Sequence, residues 1–536
     1  MFRPARAYSS VLCTGFGRSV KVMDTTLLHT DVLVIGAGPT GLMAGAWLQK
    51  FGIEAKVIDL KSGPTKESRA LALQARSMEI YRQLGLADEV QKRAVPTGEM
   101  RPGIGGRSFK SIKLNRLGYS QTHYAGLTML EQSANEELLA EHLKNAGNPV
   151  LWEHGYDSFE NTGDQLLIKC NGPQGPVHIS ARYVIAADGA ASPLRESFDI
   201  KFEGTTDDEV FYVLDAQGVS GMGSGINLRF SDENFMLGFP MGSDGSGGER
   251  RRLLGILHEP QEDSAQKPDV DEARARTSLR NEFGVRYNSA SWFATYRVHH
   301  RVAERFSQGR VFLTGDAAHI HSPVGAQGMN TGLQDAHNLV CKLADVFSGR
   351  MPETYLERYE AERRPVALRL VSTTDRLFSA ATSDSWLARM IRTRAMPIFW
   401  PAMVRLIGRI PAGRRFFGYL SQIRIHYWMD ERSRDRATLA SGFARTRRRG
   451  KVLGRRLPWV PNRTGEAPDN FEVLNDACWQ VHVYGPAGRT RGAELAAEYG
   501  VALHEFAPSP KRRLPNGSVV LVRPDMFVAH FEHVMP

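Results

Sequence analysis

Short apolar runs of strand length alternate with segments of helical period along most of this chain. Asp31–Ile35 (DVLVI) is one such run, Gly41–Phe51 reads as a helix, and Ala55–Asp59 (AKVID) is a second run. Strand, helix and strand in that order predict a βαβ unit with a parallel pairing. Arg76–Leu84 and Gln132–Asn145 read as helices, and Tyr183–Ala187 (YVIAA) reads as another buried strand. From about Phe202 to Tyr296 the texture changes. Segments such as Val210–Asp215, Ile226–Phe230 and Leu253–His258 alternate in polarity among Gly-rich turns, including Gly242–Gly248. That pattern predicts an antiparallel sheet inserted between two halves of a nucleotide domain. Val311–Thr314 returns to a buried strand, and Gly328–Val346 and Arg350–Phe378 return to helical period. Residues from about 380 to 440 are helical but interrupted by Pro397, Pro401 and Pro411. Trp479–Tyr484, Gly492–Tyr499, Ala502–Phe506 and Ser518–Arg523 predict a small separate α/β unit, and no internal repeat is present.

Composition narrows the classes. The 536 residues leave room for roughly three domains. With 42% apolar and 24% charged residues the chain is globular in character. Its four cysteines, Cys13, Cys170, Cys341 and Cys478, stand singly, which fits a reducing, cytoplasmic compartment and argues against a disulfide framework. No apolar run reaches the roughly 18 residues of a spanning helix. The net charge of +10 is concentrated late, in Arg445–Arg449, Arg455–Arg456 and Lys511–Arg513. It predicts a solvated surface rather than a nucleic-acid partner. Residues 1–22 carry Arg3, Arg6, Arg18 and Lys21 without an acid, so they read either as a transit peptide or as sequence upstream of a start at Met23.

Three segments carry chemistry. In Gly36-Ala-Gly38-Pro39-Thr40-Gly41 the first glycine permits a tight turn and the second admits a pyrophosphate close to backbone. The third lets helix pack on strand, and Asp59 ends the next strand where a carboxylate can bind a ribose hydroxyl. Asp188-Gly189 follows a strand at the sheet's carboxyl edge. Gly315-Asp316 does the same, and Pro323, Gly325, Gly328, Met329 and Asn330 then lead into a helix. Backbone N–H groups at that helix start would face a ring that gains negative charge on reduction. His319-x-His321 has no third ligand nearby, so no metal is expected.

In this order GxGxxG, the DG segment and GDAAHxHSPxxxQGMN resemble the FAD-dependent aromatic hydroxylases of the para-hydroxybenzoate hydroxylase fold. The resemblance covers roughly residues 30–370 and is greatest to the phenol hydroxylase and pentachlorophenol monooxygenase branch. It implies an α/β fold: a Rossmann-like FAD-binding domain with an inserted antiparallel β-sheet substrate domain, a helical connector and a C-terminal thioredoxin-like domain without CxxC. The expected boundaries are 1–29 (extension), 30–201 (FAD domain, first part), 202–300 (substrate sheet), 301–378 (FAD domain, second part), 379–455 (connector) and 456–536 (thioredoxin-like). By resemblance Gly36, Gly38 and Gly41, with Pro39 and Thr40, hold the pyrophosphate, and Asp59 holds the adenosine ribose. Arg69 and Gln132 serve the phosphate and ribityl region, Asp188 lies in the segment associated with FAD and NAD(P)H, and Gly315-Asp316 binds the ribityl chain. Pro323 and the Gly328–Asn330 backbone line the isoalloxazine.

The implied reaction consumes NADH or NADPH and O₂ and hydroxylates a small phenol-like or polycyclic ring through a C4a-hydroperoxyflavin. No catalytic side chain is assigned. Tyr296, Arg297 and His299 are candidates for the substrate wall. Leu71 stands near the position where phenol hydroxylases carry an acid, which argues against simple phenol. A Baeyer–Villiger or epoxidising enzyme is the first alternative. A flavin-binding membrane-surface or interaction protein, resting on the cationic, apolar stretch Trp386–Tyr427, is the second. A homodimer is a further expectation.

Overall fold

Four parallel strands set the geometry of everything that follows. Thr26–Ile35 pairs in parallel with Ala55–Asp59 on one side and with Gly175–Ala186 on the other, and Val311–Leu313 lies parallel beyond the latter. Val32, Leu33 and Val34 have no exposed surface, because the sheet is covered on both faces. Register brings the carboxyl ends level: Ile35 opposes Ile58 and Ala186, and Ala186 opposes Leu313. The chain therefore leaves the sheet at one edge four times, at Gly36, Asp59, Ala187 and Thr314. In α/β sheets that edge is where ligands collect. The computed structural model describes residues 26–66, 70–231, 234–243, 248–257, 271–321, 327–382, 399–400, 406, 411–427, 452–461 and 469–535. Arg69, Pro323, most of the connector and the basic run at 445–449 lie outside the described residues.

The predicted elements form with shifted ends. Gln132–Asn145, Ala55–Asp59, Ile226–Phe230 and Ala502–Phe506 stand as read, whereas the strand at Tyr183–Ala187 is the end of a longer one, Gly175–Ala186. The strands Gly155–Asn161 and Leu166–Gly172 extend the sheet antiparallel beyond it.

The second sheet, nine-stranded among the described residues, draws on more of the chain than 202–300. Its long strands Phe202–Gln217 and Ser289–Ala303 pair antiparallel, but Glu99–Ile104 joins it in parallel with Ile226–Phe230. Pro102 and Gly103 make that segment read as a turn. Gly103 is needed there because a Cβ would lie 2.3 Å from the Arg107 carbonyl oxygen of the adjoining hairpin.

One face of this sheet packs Tyr212, Leu214, Met236 and Leu253 against Ala275, Leu279 and Phe283 of the helix Glu272–Phe283. That helix is capped by the Asp271 carboxylate, which accepts from Arg274 N at 2.9 Å, and it ends in a left-handed Gly284. The opposite face carries Phe211, Phe235, Leu254 and Ile256. Its Phe239 and Met241 pack with Leu71, Ala72 and Met129 of the first domain.

At the C-terminal end Gln480–Tyr484 pairs in parallel with Ala502–Phe506 and antiparallel with Ser518–Val522, which pairs with Val528–His533. The helix Arg489–Tyr499 makes the parallel crossover.

Candidate active site

The fingerprint turn is shaped by what its glycines lack. Gly36 has φ +102°, and a Cβ there would lie 2.3 Å from the Ala187 carbonyl oxygen. A Cβ on Gly41 would lie 1.8 Å from the Gly36 carbonyl oxygen, so helix Pro39–Lys50 rests directly on the turn before it. Gly38 differs: nothing lies within 4 Å of its Cβ position. The helix has proline at its first position and no side-chain cap, so its first N–H groups face that open space. Two glycines are packed and one is open, as an approaching pyrophosphate requires.

Asp59 closes the turn from below. One carboxylate oxygen accepts from Ala37 N at 2.6 Å and the other from Lys61 N at 2.8 Å. Gln132 is oriented by the buried Glu136, to which its amide donates at 2.9 Å; the same carboxylate accepts from Thr65 N and Lys61 Nζ. Asp188 follows Ala187 beside Gly36. Burial raises its carboxyl above the ordinary value, partly offset by hydrogen bonds from Ser192 and Leu194 N. Its Oδ1 is buried without a protein partner. That orphan acceptor, on the residue that abuts Gly36 at the sheet edge, fits a ligand that brings hydroxyl donors.

Arg195 ties this segment to the next, donating to the carbonyl oxygens of Ala190 at 3.0 Å and Ala317 at 3.1 Å. Gly315 turns with φ +58°, and a Cβ on it would lie 2.6 Å from Thr40 Oγ1; a Cβ on Gly332 would lie 2.2 Å from the same oxygen. Thr40, Gly315 and Gly332 thus lock the fingerprint helix, the turn and the long helix Gly328–Phe347 together. Asp316, in the 3₁₀ turn Gly315–Ala317, is exposed at this junction.

Asn330 is fully buried, and its side chain is a staple. Its Oδ1 accepts from Gln74 N at 2.8 Å and Ser77 Oγ at 2.7 Å, while its Nδ2 donates to the Ala72 carbonyl at 2.8 Å. This fixes the long helix, which starts without a side-chain cap, against the helix Ala75–Leu84. Met329 packs beside it on the main core.

Sequence reasoning missed the buried charges beneath the turn. Asp335 accepts from Gly315 N at 3.2 Å, His319 Nε2 at 2.7 Å and Arg363 Nε at 2.6 Å. Burial alone would raise its carboxyl, yet Arg363 and His319 hold it below the ordinary value. Arg363 also donates to Tyr427 Oη at 2.9 Å and the Thr331 carbonyl at 3.2 Å. Among the described residues no group of three or more His, Cys, Asp and Glu could hold a metal.

The three substrate-wall candidates separate by strand parity. Tyr296 stacks on Phe211, ring centroids 5.6 Å apart, on the sheet face turned to the first domain. Arg297 is exposed and His299 shares a hydrogen bond with Thr206 at 2.8 Å, both on the other side of the strand. The turned-in face holds a polar pair not anticipated: Arg252 grips Asp215 with two contacts of 2.7 Å, lies against the Trp292 ring and donates to the Ala70 carbonyl at 3.3 Å. Leu71 is buried at this interface among apolar neighbours.

Residues 29–374 match the family model described as an FAD binding domain. The 6-methylpretetramide 4-monooxygenase of Streptomyces rimosus is 30% identical, the match covering 93% of this chain and 90% of that protein. The rifampicin monooxygenase of Streptomyces venezuelae is 32% identical over 64% of this chain and 70% of its own. The structure of an anhydrotetracycline hydroxylase from Streptomyces rimosus superposes with a TM-score of 0.71 at 25% identity, covering 94% of this chain and 96% of that one. Cofactor and reaction class follow: FAD, with NAD(P)H as reductant and dioxygen as the second substrate. The chain belongs to the FAD-binding-domain family of FAD-dependent aromatic monooxygenases.

Proposed function

We propose that this monooxygenase hydroxylates a phenolic ring within a multi-ring scaffold, held between the turned-in face of the nine-stranded sheet and the flavin. The observation that carries this reading is the character of that face. That face is apolar and rich in aromatic rings, with Phe211, Phe235 and Tyr296 in one cluster, Phe239 and Met241 in another and Trp292 against Arg252; opposite Phe239 and Met241 the first domain presents Leu71 rather than an acid. The similar proteins named for pretetramide, rifampicin and anhydrotetracycline support the same substrate class.

Bound FAD supplies a hydride acceptor for NAD(P)H and, once reduced, the centre that activates dioxygen. The chain's own residues bind, orient and exclude water. The Gly36–Gly41 turn and helix start hold the pyrophosphate, Asp59 the ribose, and Gln132 and Asp316 the ribityl region. The backbone of Gly328, Met329 and Asn330 directs N–H groups at the ring edge. Arg252, oriented by its two contacts to Asp215, offers a donor to a phenol oxygen, and the aromatic face keeps water from the reacting ring.

The C-terminal unit supports a thioredoxin-like reading through its strand order, Ala502–Phe506, Gln480–Tyr484, Ser518–Val522, Val528–His533, with Cys478 as its lone cysteine. A cytoplasmic location accords with single cysteines and, among the described residues, with no helix long and apolar enough to cross a membrane. A homodimer belongs to the same proposal, and light scattering of the purified holoprotein reads it.

Stopped-flow flavin reduction by NADH and by NADPH, against phenols, salicylates and polycyclic quinols, tests the substrate class. Polycyclic quinols are expected to accelerate reduction most. Equal or greater acceleration by simple phenol contradicts the reading.

A further inference from the structure

The turn Arg523–Phe527 of the C-terminal unit does not rest on the surface of the flavin domain; it is buried in it. Asp525 accepts from Asn338 Nδ2 on the long helix at 3.1 Å. Arg523 binds Glu362 through contacts of 2.7 and 2.9 Å and also grips Asp525. Phe527 stacks on Tyr427 at 4.0 Å, and Tyr427 is the hydroxyl to which Arg363, the partner of Asp335, donates. On the other side stands Arg76. Its guanidinium donates to the Asp525 carbonyl at 2.8 Å and to Met526 Sδ at 2.9 Å, and it lies 5.6 Å over the Phe527 ring.

Arg76 belongs to the helix Ala75–Leu84, at whose start Gln74 N and Ser77 Oγ hold Asn330. The C-terminal turn therefore touches both helices that Asn330 staples: the helix Ala75–Leu84 within one turn of the staple, at Arg76, and the long helix about two turns beyond it, at Asn338. A guanidinium that is 2% exposed and directed at a carbonyl of another unit is a fixed strut, because moving it would strand both donor and acceptor away from water.

We infer that Arg76 is a positioning residue through which the C-terminal unit sets the flavin: the turn Arg523–Phe527 holds Arg76, Arg76 holds the start of its helix, and that start holds Asn330 and the N–H groups beside it. The inference rests on the placement of the Gly328–Asn330 backbone at the isoalloxazine. The appended unit then governs flavin affinity and electronic environment, not merely the thermal stability of the chain.

FAD titration into the full-length apoprotein tests this, read by flavin fluorescence and by the absorption spectrum of the bound flavin, with the melting temperature of the apoprotein measured separately. Arg76→Met is expected to weaken FAD binding about tenfold and shift the spectrum, and Arg76→Lys, which keeps the charge and a donor but not the planar fork, to recover part of both. Glu79 keeps Thr122 and Arg456 as partners in either variant. A lowered melting temperature with FAD affinity and spectrum unchanged overturns the inference, since Arg76 is then only structural. Should Arg76→Met not fold, Phe527→Leu makes the same comparison from the other side of the contact. Weaker FAD binding there upholds the inference, and unaltered binding and spectrum overturn it. Asn330→Ala separates the two layers. If it leaves FAD binding intact, the placement of Asn330 fails; if it weakens binding while Arg76→Met does not, only the role of Arg76 fails.

Discussion

The fingerprint turn and the Gly315 turn meet at one edge of one sheet, yet opposite means hold them in shape. The first is defined by absent side chains: Gly36 and Gly41 leave no room for a Cβ, and Gly38 leaves room for a ligand. The second is defined by side chains present beneath it, where the Asp335–Arg363 ion pair and His319 form a buried hydrogen-bonded network under Gly315. Steric exclusion at Gly41 works within six residues, against Gly36, and at Gly36 it needs only the end of the neighbouring strand at Ala187. A buried carboxylate needs partners from distant elements, because a carboxylate shut away from water must be neutralised and hydrogen-bonded.

The comparison predicts different kinds of damage. Arg363→Met, which strands Asp335 without its cation, is expected to cost the largest amount, about 3–5 kcal/mol in chemical denaturation. An effect below about 1 kcal/mol would show that the network contributes little. Gly41→Ala forces a Cβ against the Gly36 carbonyl and is expected to cost about 1–3 kcal/mol or more. Gly38→Ala meets nothing, so the apoprotein should melt as wild type while FAD affinity falls. Equal losses of stability in the two glycine variants would erase the distinction drawn between them.

A smaller, pH-dependent effect belongs to Asp345, which accepts from the Trp479 indole at 2.9 and 3.0 Å and so joins the long helix to the C-terminal unit. Burial pushes its carboxyl up to about 6 from 3.8, against the pull of Trp479, Arg523 and Lys342. A raised folded-state value means that its contribution is complete below about 3.8 and is lost as pH rises through about 6. Asp345→Asn should therefore gain on wild type between about pH 4 and pH 7, by up to about 3 kcal/mol. A constant difference across that range would contradict the assignment.

What was legible in the sequence follows the same division. Gly36, Gly38, Gly41 and Asp59 sit in a local motif whose spacing carries its own geometry, so turn, helix and strand emerge together. The parallel sheet was legible because its strands are apolar on both faces. Asp335 and Arg363 were not, since each sits in a helix where a charge ordinarily reads as a solvated face. The Asn330 side chain was read only for its backbone; its partners Ala72, Gln74 and Ser77 come from a segment far away in sequence. Glu99–Ile104 was hidden by Pro102 and Gly103, and Arg252 by a run of arginines that resembles an exposed strand end.

The central claim is that one FAD is held from both sides of this edge, by the fingerprint turn and by Asp316 on the Gly315 turn. FAD titration of Asp316→Ala apoprotein tests it most directly. The account predicts a loss of affinity of at least about tenfold, roughly 1.4 kcal/mol, with the apoprotein melting as wild type because the side chain is exposed. Stoichiometric FAD bound as tightly as in the wild type would contradict it.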